Sequence, residues 1–249
     1  MHRVFVPPQS ISFDRACVQG PRCHHLLRVL RLKEGAGLIV FDGRGSEYPG
    51  KLIRAEREWV EIELGPRREV SSGNTEIVLV QAVPRLSRMD WVIEKATELG
   101  VGRIHPVLSR RSVARPSSLG NKLARWRRIA VEASRQSGRT LIPELVEIED
   151  FAFCVEHLSQ EHPDTPKFLA HVGAEDFAAG LLQTAFEPQL PRVLCLAVGP
   201  EGDFTEEEIR KAQALGWRSV SLGPAVLRSE TAAIALVGLA SQLLYAKRE

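Results

Sequence analysis

The sequence predicts an α/β protein in two parts: a mostly β segment over residues 1–72, then a mainly parallel sheet with helices on both faces over residues 73–249. Two patterns predict this. Up to residue 70 the apolar residues alternate or fall in short runs broken by glycine turns, which is strand and hairpin patterning. From residue 76 onward, short buried-strand runs alternate with capped amphipathic segments, the β/α order that builds a parallel sheet. At 249 residues, 44% hydrophobic and 26% charged, the chain is long enough to bury one large core or two smaller ones.

In the first part, "GLIVFDGRGSEYPGKLI" reads as strand, Asp-Gly and Gly-rich turn, strand. "WVEIEL" alternates apolar and charged residues like a half-buried strand, and one helix is expected around "HHLLRVLR". "SSGNTE" at 71–76 reads as the linker between the parts. In the second part, "EIVLVQAV" (76–83), "IHPVLS", "KFLAHV", "RVLCLAVG" and "SVSLG" are expected strands. "SRMDWVIEKATELG" is expected to open with a capping box of Ser87 and Asp90 and to stop at Gly100. "NKLARWRRIAVEASRQSG" predicts a long helix with Arg125, Arg127, Arg128, Arg135 and Arg139 at or near its surface. "TEEEIRKAQALG" carries a second box, Thr205 with Glu208, acids in its first turn and Gly216 at its end. A last, apolar helix is expected from about residue 231 to 244.

Charge is unevenly placed. Residues 84–139 carry a net +9 and residues 140–249 a net −9, and arginine supplies 26 of the 33 basic side chains. Guanidinium suits forked contacts to phosphate and stacking on bases, so the central segment reads as a nucleic-acid footprint. The competing reading is a solvated face balanced by the acidic C-terminal part. Cys17, Cys23, Cys154 and Cys195 show no CxxC pairing and predict free thiols rather than disulfides or zinc; no metal site is expected, "CHH" at 23–25 lacking a partner cluster. No apolar run near the 20 residues of a membrane span and no signal-peptide core are apparent, so a cytoplasmic protein is expected.

In a parallel sheet, ligands bind in the loops beyond the carboxyl ends of the strands. Two such loops stand out, "AVGPEGDF" (197–204) and "SLGPAVLRSE" (221–230), and both carry Gly-Pro. Glycine lets a ligand approach the backbone, and proline stiffens the turn. Two ordinary turns are the plainer alternative. No GxGxxG follows a strand and no GxxxxGK[ST] occurs, which argues against a nicotinamide or P-loop site.

Four stretches in order, "MDWVIEKATELGV", "RWRRIAVEASRQSGR", "GPEGDFTEEEI" and "LGPAVLRSETAA", resemble the 16S ribosomal RNA (uracil-N3) methyltransferase family of the SPOUT class. "HHLLRVLRLKEG" and "FDGRGSEYPGKL" look like that family's N-terminal PUA-like β-barrel, so the resemblance covers nearly the whole chain. It implies a PUA-like RNA-binding barrel, a SPOUT domain with a trefoil knot, a homodimer formed through knot-region helices, and S-adenosyl-L-methionine as cofactor. Its substrate would be 16S ribosomal RNA or the small ribosomal subunit. Carried onto this chain, the cofactor loops contain Val198, Gly199, Glu201, Gly202, Leu222, Gly223 and Leu227. Two positions depart from the family's pattern. Asp203 stands where a second glycine is usual, which bears on cofactor affinity, and Arg135 stands where a smaller or acidic residue is usual.

Methylating N3 of uracil requires removal of the N3 proton and stabilisation of charge on the carbonyl oxygens. Arg228 is expected to steady that charge, with Glu230 or Glu201 accepting the proton or orienting Arg228. A structural alternative has Glu230 complementing the helix dipole with Arg228 paired to it. Arg28, Arg31, Arg110, Arg111, Arg128 and Arg139 are the arginines expected to meet RNA. Two other functions compete: methylation of a ribose 2′-hydroxyl on the same scaffold, and a non-catalytic RNA-binding or assembly factor, favoured only by Asp203.

Overall fold

The computed structural model describes residues 2–70, 73, 75–113 and 120–247. The expected linker at 71–76 lies partly outside them. Two compact units form, Met1–Ser72 with Val131–Ile142, and Gly73–Ala130 with Pro143–Glu249.

The first unit is a curled, mostly antiparallel sheet. Its elements are β1 (His2–Phe5), β2 (Ile11–Ser12), β3 (Arg15–Gln19), a helical turn α1 (Pro21–His24) that widens over His25–Val29, β4 (Gly37–Phe41), β5 (Ser46–Ala55), β6 (Trp59–Leu64) and β7 (Arg68–Glu69). The strands order as β1-β4-β5-β6-β3-β2, with β7 on β5. The β4–β5 hairpin forms where the sequence places it, because the Asp42 carboxylate accepts from the backbone N–H of Arg44 (2.8 Å) and of Ser46 (3.0 Å). That pins the turn. Along β6, Val60, Ile62 and Leu64 are buried beside Leu38, Val40 and Leu52, while Glu61 and Glu63 keep contact with solvent. Residues 131–142 join this unit through the same turn: Gly43 and Arg44 bridge to Leu141, and Gly45 N–H donates to Thr140.

The second unit runs β8 (Glu76–Ala82), α2 (Leu86–Glu98), β9 (Arg103–Leu108), α3 (Lys122–Ser137), β10 (Glu144–Leu145), β11 (Glu149–Asp150), α4 (Phe151–Glu161), β12 (Lys167–Ala170), α5 (Ala178–Ala185), β13 (Val193–Val198), α6 (Glu206–Ala214), β14 (Arg218–Val220) and α7 (Ser229–Ala246), with the second half of α3 counted in the first unit. Its sheet is wholly parallel, ordered β10-β9-β8-β13-β12-β14 with β11 also on β9. The apolar strand runs explain this: both faces are covered, so β8, β12 and β13 need no alternation. The chain leaves β13, passes β12 to form β14 on its far side, and returns in α7 to pack on α2, α5, β8 and β13. The loops after β12, β13 and β14 therefore gather at one edge.

Three local expectations need correction or addition. The Ser87–Asp90 capping box does not form: α2 starts at Leu86 with Arg85 at its N-cap and no side-chain cap. Asp90 is instead gripped by the Arg125 guanidinium, at 2.8 and 3.1 Å. The Thr205–Glu208 box does form. Helices α4 and α5 go unanticipated, although Asp150 accepts from Ala152 N–H at 2.8 Å and so caps α4. Finally, α7 reaches 18 residues at mean hydropathy 1.2, which by length and composition alone overlaps a membrane span. Its buried residues, Ala233, Leu236, Val237, Ala240 and Leu244, are those of a core helix packed on the sheet.

Candidate functional site

The gathered loops line an open pocket at this edge of the sheet. Six of the seven residues assigned to the cofactor loops, Val198, Gly199, Glu201, Leu222, Gly223 and Leu227, line it. Gly202 does not; its carbonyl faces away and accepts from Arg111 Nη1 at 2.8 Å. Glycine is favoured at two of these positions. Gly223 sits at φ 125°, and a Cβ on Gly199 would stand 3.1 Å from the Phe204 nitrogen. The loops are tied together behind the pocket. Ser229 Oγ donates to the Gly199 carbonyl at 2.5 Å and accepts from Gln81 Nε2 at 3.0 Å, all three groups being buried. Helix α7 is thereby fastened to β8 and to the end of β13.

Arg228 occupies the N-cap of α7, exposed at the pocket's lip, and its guanidinium has no partner among the described residues. Glu230 and Glu201 do not orient it. Both carboxylates instead lie 3.5 Å from Arg88 Nη1, a residue the sequence analysis did not single out, and Glu201 also accepts from Arg85 N–H at 3.1 Å. The alternative in which Arg228 pairs with Glu230 fails for the same reason. Arg88 stands on the first turn of α2, so the sequence places it next to a motif but not next to residues more than a hundred positions away.

His171, at the end of β12, also went unnoticed. It lines the pocket and donates from Nδ1 to Asp203 at 2.7 Å. The one available signal was a histidine at the carboxyl end of a buried strand, where such sheets bind ligands. Asp203 itself has φ 59°, a conformation glycine favours and aspartate tolerates.

The arginines expected to meet RNA fall into groups. Arg28, Arg31 and Arg128 are exposed. Arg110 is exposed but lies 3.1 Å from Glu207. Arg111, although exposed, is tied to Gly202, and Arg139 is half-buried and engaged. Arg135 adds no free charge to a surface. It is 19% exposed and ion-paired with Glu132, whose carboxyl it holds below the usual carboxylate range.

All four cysteines are free thiols. Away from the pocket, His105, Glu149 and Cys154 each bring one donor atom to within 4.8 Å of the others. Sequence spacing gave no hint of that cluster, since β9, β11 and α4 supply one residue each. Burial lowers the His105 pKa and pushes the Cys154 thiol well up, while His105 Nδ1 and Glu149 satisfy each other at 3.1 Å. Burial likewise raises the Cys195 thiol to about 12.

Residues 71–241 match the model of an RNA methyltransferase domain, and residues 18–64 match that of an RNA methyltransferase PUA domain. A solved structure of ribosomal RNA small subunit methyltransferase E from Neisseria gonorrhoeae, bound to S-adenosyl methionine, superposes with a TM-score of 0.85 at 28% identity, covering 98% of both chains. A methyltransferase structure from Legionella pneumophila, solved with the same cofactor, gives 0.82 at 29% identity, over 98% of this chain and 97% of that one. Fold and site thus define an RNA methyltransferase of the SPOUT class: a PUA-like N-terminal domain followed by a parallel-sheet methyltransferase domain. Among curated proteins, the small subunit methyltransferase E of Synechocystis is 34% identical over 93% of this chain and 74% of its own length, and that of Bacillus subtilis 27% identical over 98% of each. The chain belongs to the ribosomal RNA small subunit methyltransferase E family.

Proposed function

We propose that this protein transfers the methyl group of S-adenosyl-L-methionine to N3 of a uridine in 16S ribosomal RNA. The pocket suits that cofactor. Val198, Leu222, Leu227 and Ala232 offer an apolar bed for an adenosine, and the close backbone of the two Gly-Pro loops offers amides and carbonyls to its polar edge. When bound there, the cofactor supplies an electrophilic methyl group at the pocket mouth.

The observation that carries the reading is Arg228: an exposed guanidinium with no partner among the described residues, carried by the N-cap residue of α7 between two residues that line the pocket. Its exposure next to residues that line the pocket leaves it free to meet a ligand. Placed against a uracil, its N–H groups meet the carbonyl oxygens where charge gathers as N3 loses its proton. Glu201 and Glu230, held by Arg88 on the same lip, are the groups to receive that proton. Because N3 lies on the pairing edge, the uridine must be unpaired or flipped out to reach them.

Arg28, Arg31, Arg110, Arg111, Arg128 and Arg139 are the proposed RNA contacts, with the PUA-like domain at residues 1–72 sharing the recognition. Half-exposed Trp91 on α2 and Tyr245 on α7 support a homodimer formed through these two helices. Light scattering tests it directly: a monomeric mass at micromolar concentration would reject the dimer.

The test of the chemistry follows methyl transfer to small subunits from cells lacking the enzyme, with reverse transcription across the product. An N3-methyl blocks pairing and stops the transcriptase, whereas a ribose 2′-O-methyl leaves the pairing edge intact. Arg228→Ala should lower kcat by about 10²-fold, the scale of losing one preorganised donor, with cofactor affinity and melting temperature unchanged. Undiminished turnover in that variant would end the proposed role.

A further inference from the structure

Asp203 is a charged wall of the pocket that the proposed chemistry leaves without a task. Its carboxylate is fixed on every side. Oδ2 accepts from His171 Nδ1 at 2.7 Å and from Val172 N–H at 3.3 Å, and Oδ1 accepts from Phe204 N–H at 2.7 Å. These partners are an imidazole and two peptide groups. Glu201, the other carboxylate on the lining, has Arg88 beside it. Among the described residues that line the pocket there is no lysine or arginine. Asp203 is therefore the one lining carboxylate with no arginine or lysine partner among them, 23% exposed and immobilised by its hydrogen bonds. It holds this place from a left-handed backbone that glycine would adopt more readily, so the loop's geometry alone does not call for a carboxylate.

A fixed negative charge discriminates between ligands that differ in charge and little else. The methyl donor and the spent product of the proposed reaction are such a pair: transfer of the methyl group turns a sulfonium cation into a neutral thioether. We infer that Asp203 determines the pocket's preference for the cationic donor over the uncharged product, and so favours exchange of product for donor between turnovers. This rests on the cofactor assignment made above and extends it to a specificity residue. Between unit charges in such a partly exposed site, the interaction is on the order of tenfold in an equilibrium constant. His171 supports the charge by donating a hydrogen bond to it, and acts here as a positioning residue.

The competing account is purely structural: by bonding to Val172 and Phe204, Asp203 merely ties the loop after β12 to the loop after β13. Loosening that tie would weaken both ligands alike, so the ratio of affinities separates the two accounts. Two variants suffice. Asp203→Asn removes the charge in a residue that tolerates a left-handed backbone, and Asp203→Gly removes the side chain where glycine is at ease. Dissociation constants for S-adenosylmethionine, S-adenosylhomocysteine and sinefungin, whose amine replaces the sulfonium with another cation, are measured by calorimetry at low salt on the full chain, with melting curves of the unliganded variants. In both variants the two cationic ligands should bind about tenfold more weakly, while the thioether changes less than about twofold. Equal losses for all three ligands, or no loss for the cations, would overturn the inference. A wild-type protein that binds none of the three would instead remove the cofactor assignment, and this inference with it.

Discussion

Ser229→Ala is the most direct probe of how α7 is fastened to the pocket. The hydroxyl donates to the Gly199 carbonyl at 2.5 Å and accepts from Gln81 Nε2 at 3.0 Å, in a site where Ser229 is 4% and Gln81 0% exposed. Alanine leaves a buried carbonyl without this donor, costing about 1–3 kcal/mol, and deprives Gln81 of one bond worth about 1 kcal/mol. Gln81 retains its bond to the Ala82 carbonyl at 2.8 Å, so its amide is not stranded. The sum is about 2–4 kcal/mol. For a unit of this size, each kcal/mol moves the melting temperature by about 2–4 °C, which predicts a fall of about 4–16 °C by calorimetry. Because Gly199 lines the pocket, affinity for the cofactor should fall as well. In a double-mutant cycle with Gln81→Leu, the two losses should be non-additive by at least about 0.5 kcal/mol. A melting temperature within about 2 °C of wild type, or strict additivity, would show that the clasp contributes nothing.

Replacing Arg88 by methionine leaves Glu201 and Glu230 without their shared cation; since all three side chains are partly exposed, the cost should be about 1 kcal/mol in a thermal melt, with a larger loss in kcat than in cofactor affinity. Stability should also depend on His105. Burial lowers its pKa below the ordinary histidine value, so the unfolded chain binds the proton more readily, and stability present above about pH 6.5 is lost as pH falls below it. The decline in melting temperature between pH 7.5 and 5.5 should accordingly be shallower in His105→Gln; equal slopes would exclude that residue. RNA affinity should fall with salt at a slope of about −0.7 to −0.9 per phosphate neutralised, and a flat dependence measured by filter binding would count against the arginine contacts.

Local patterning carried much of the fold. The Asp-Gly hairpin between β4 and β5, the alternation of β6, the Thr205–Glu208 box and the glycine stops at Gly100 and Gly216 each involve residues a few positions apart, and each formed as read. The Ser87–Asp90 box shows where such reading fails: the motif is adequate, yet the helix starts ahead of Ser87, and the Asp90 carboxylate bonds to Arg125, thirty-five residues on. Helices α4 and α5 were missed because their short, apolar stretches carry no clear period.

By itself, the sequence determined most of the strands and helices, singled out the two Gly-Pro loops that line the pocket and, through four ordered motifs, pointed to the family. Tertiary structure alone decided which charges are spoken for. Arg88 draws in Glu201 and Glu230, leaving Arg228 without a partner among the described residues; Glu132 neutralises Arg135; His171 meets Asp203. Spacing along a chain governs hydrogen bonds within a turn, but an ion pair depends on distance in space, and strand order β13-β12-β14 sets that distance for the pocket.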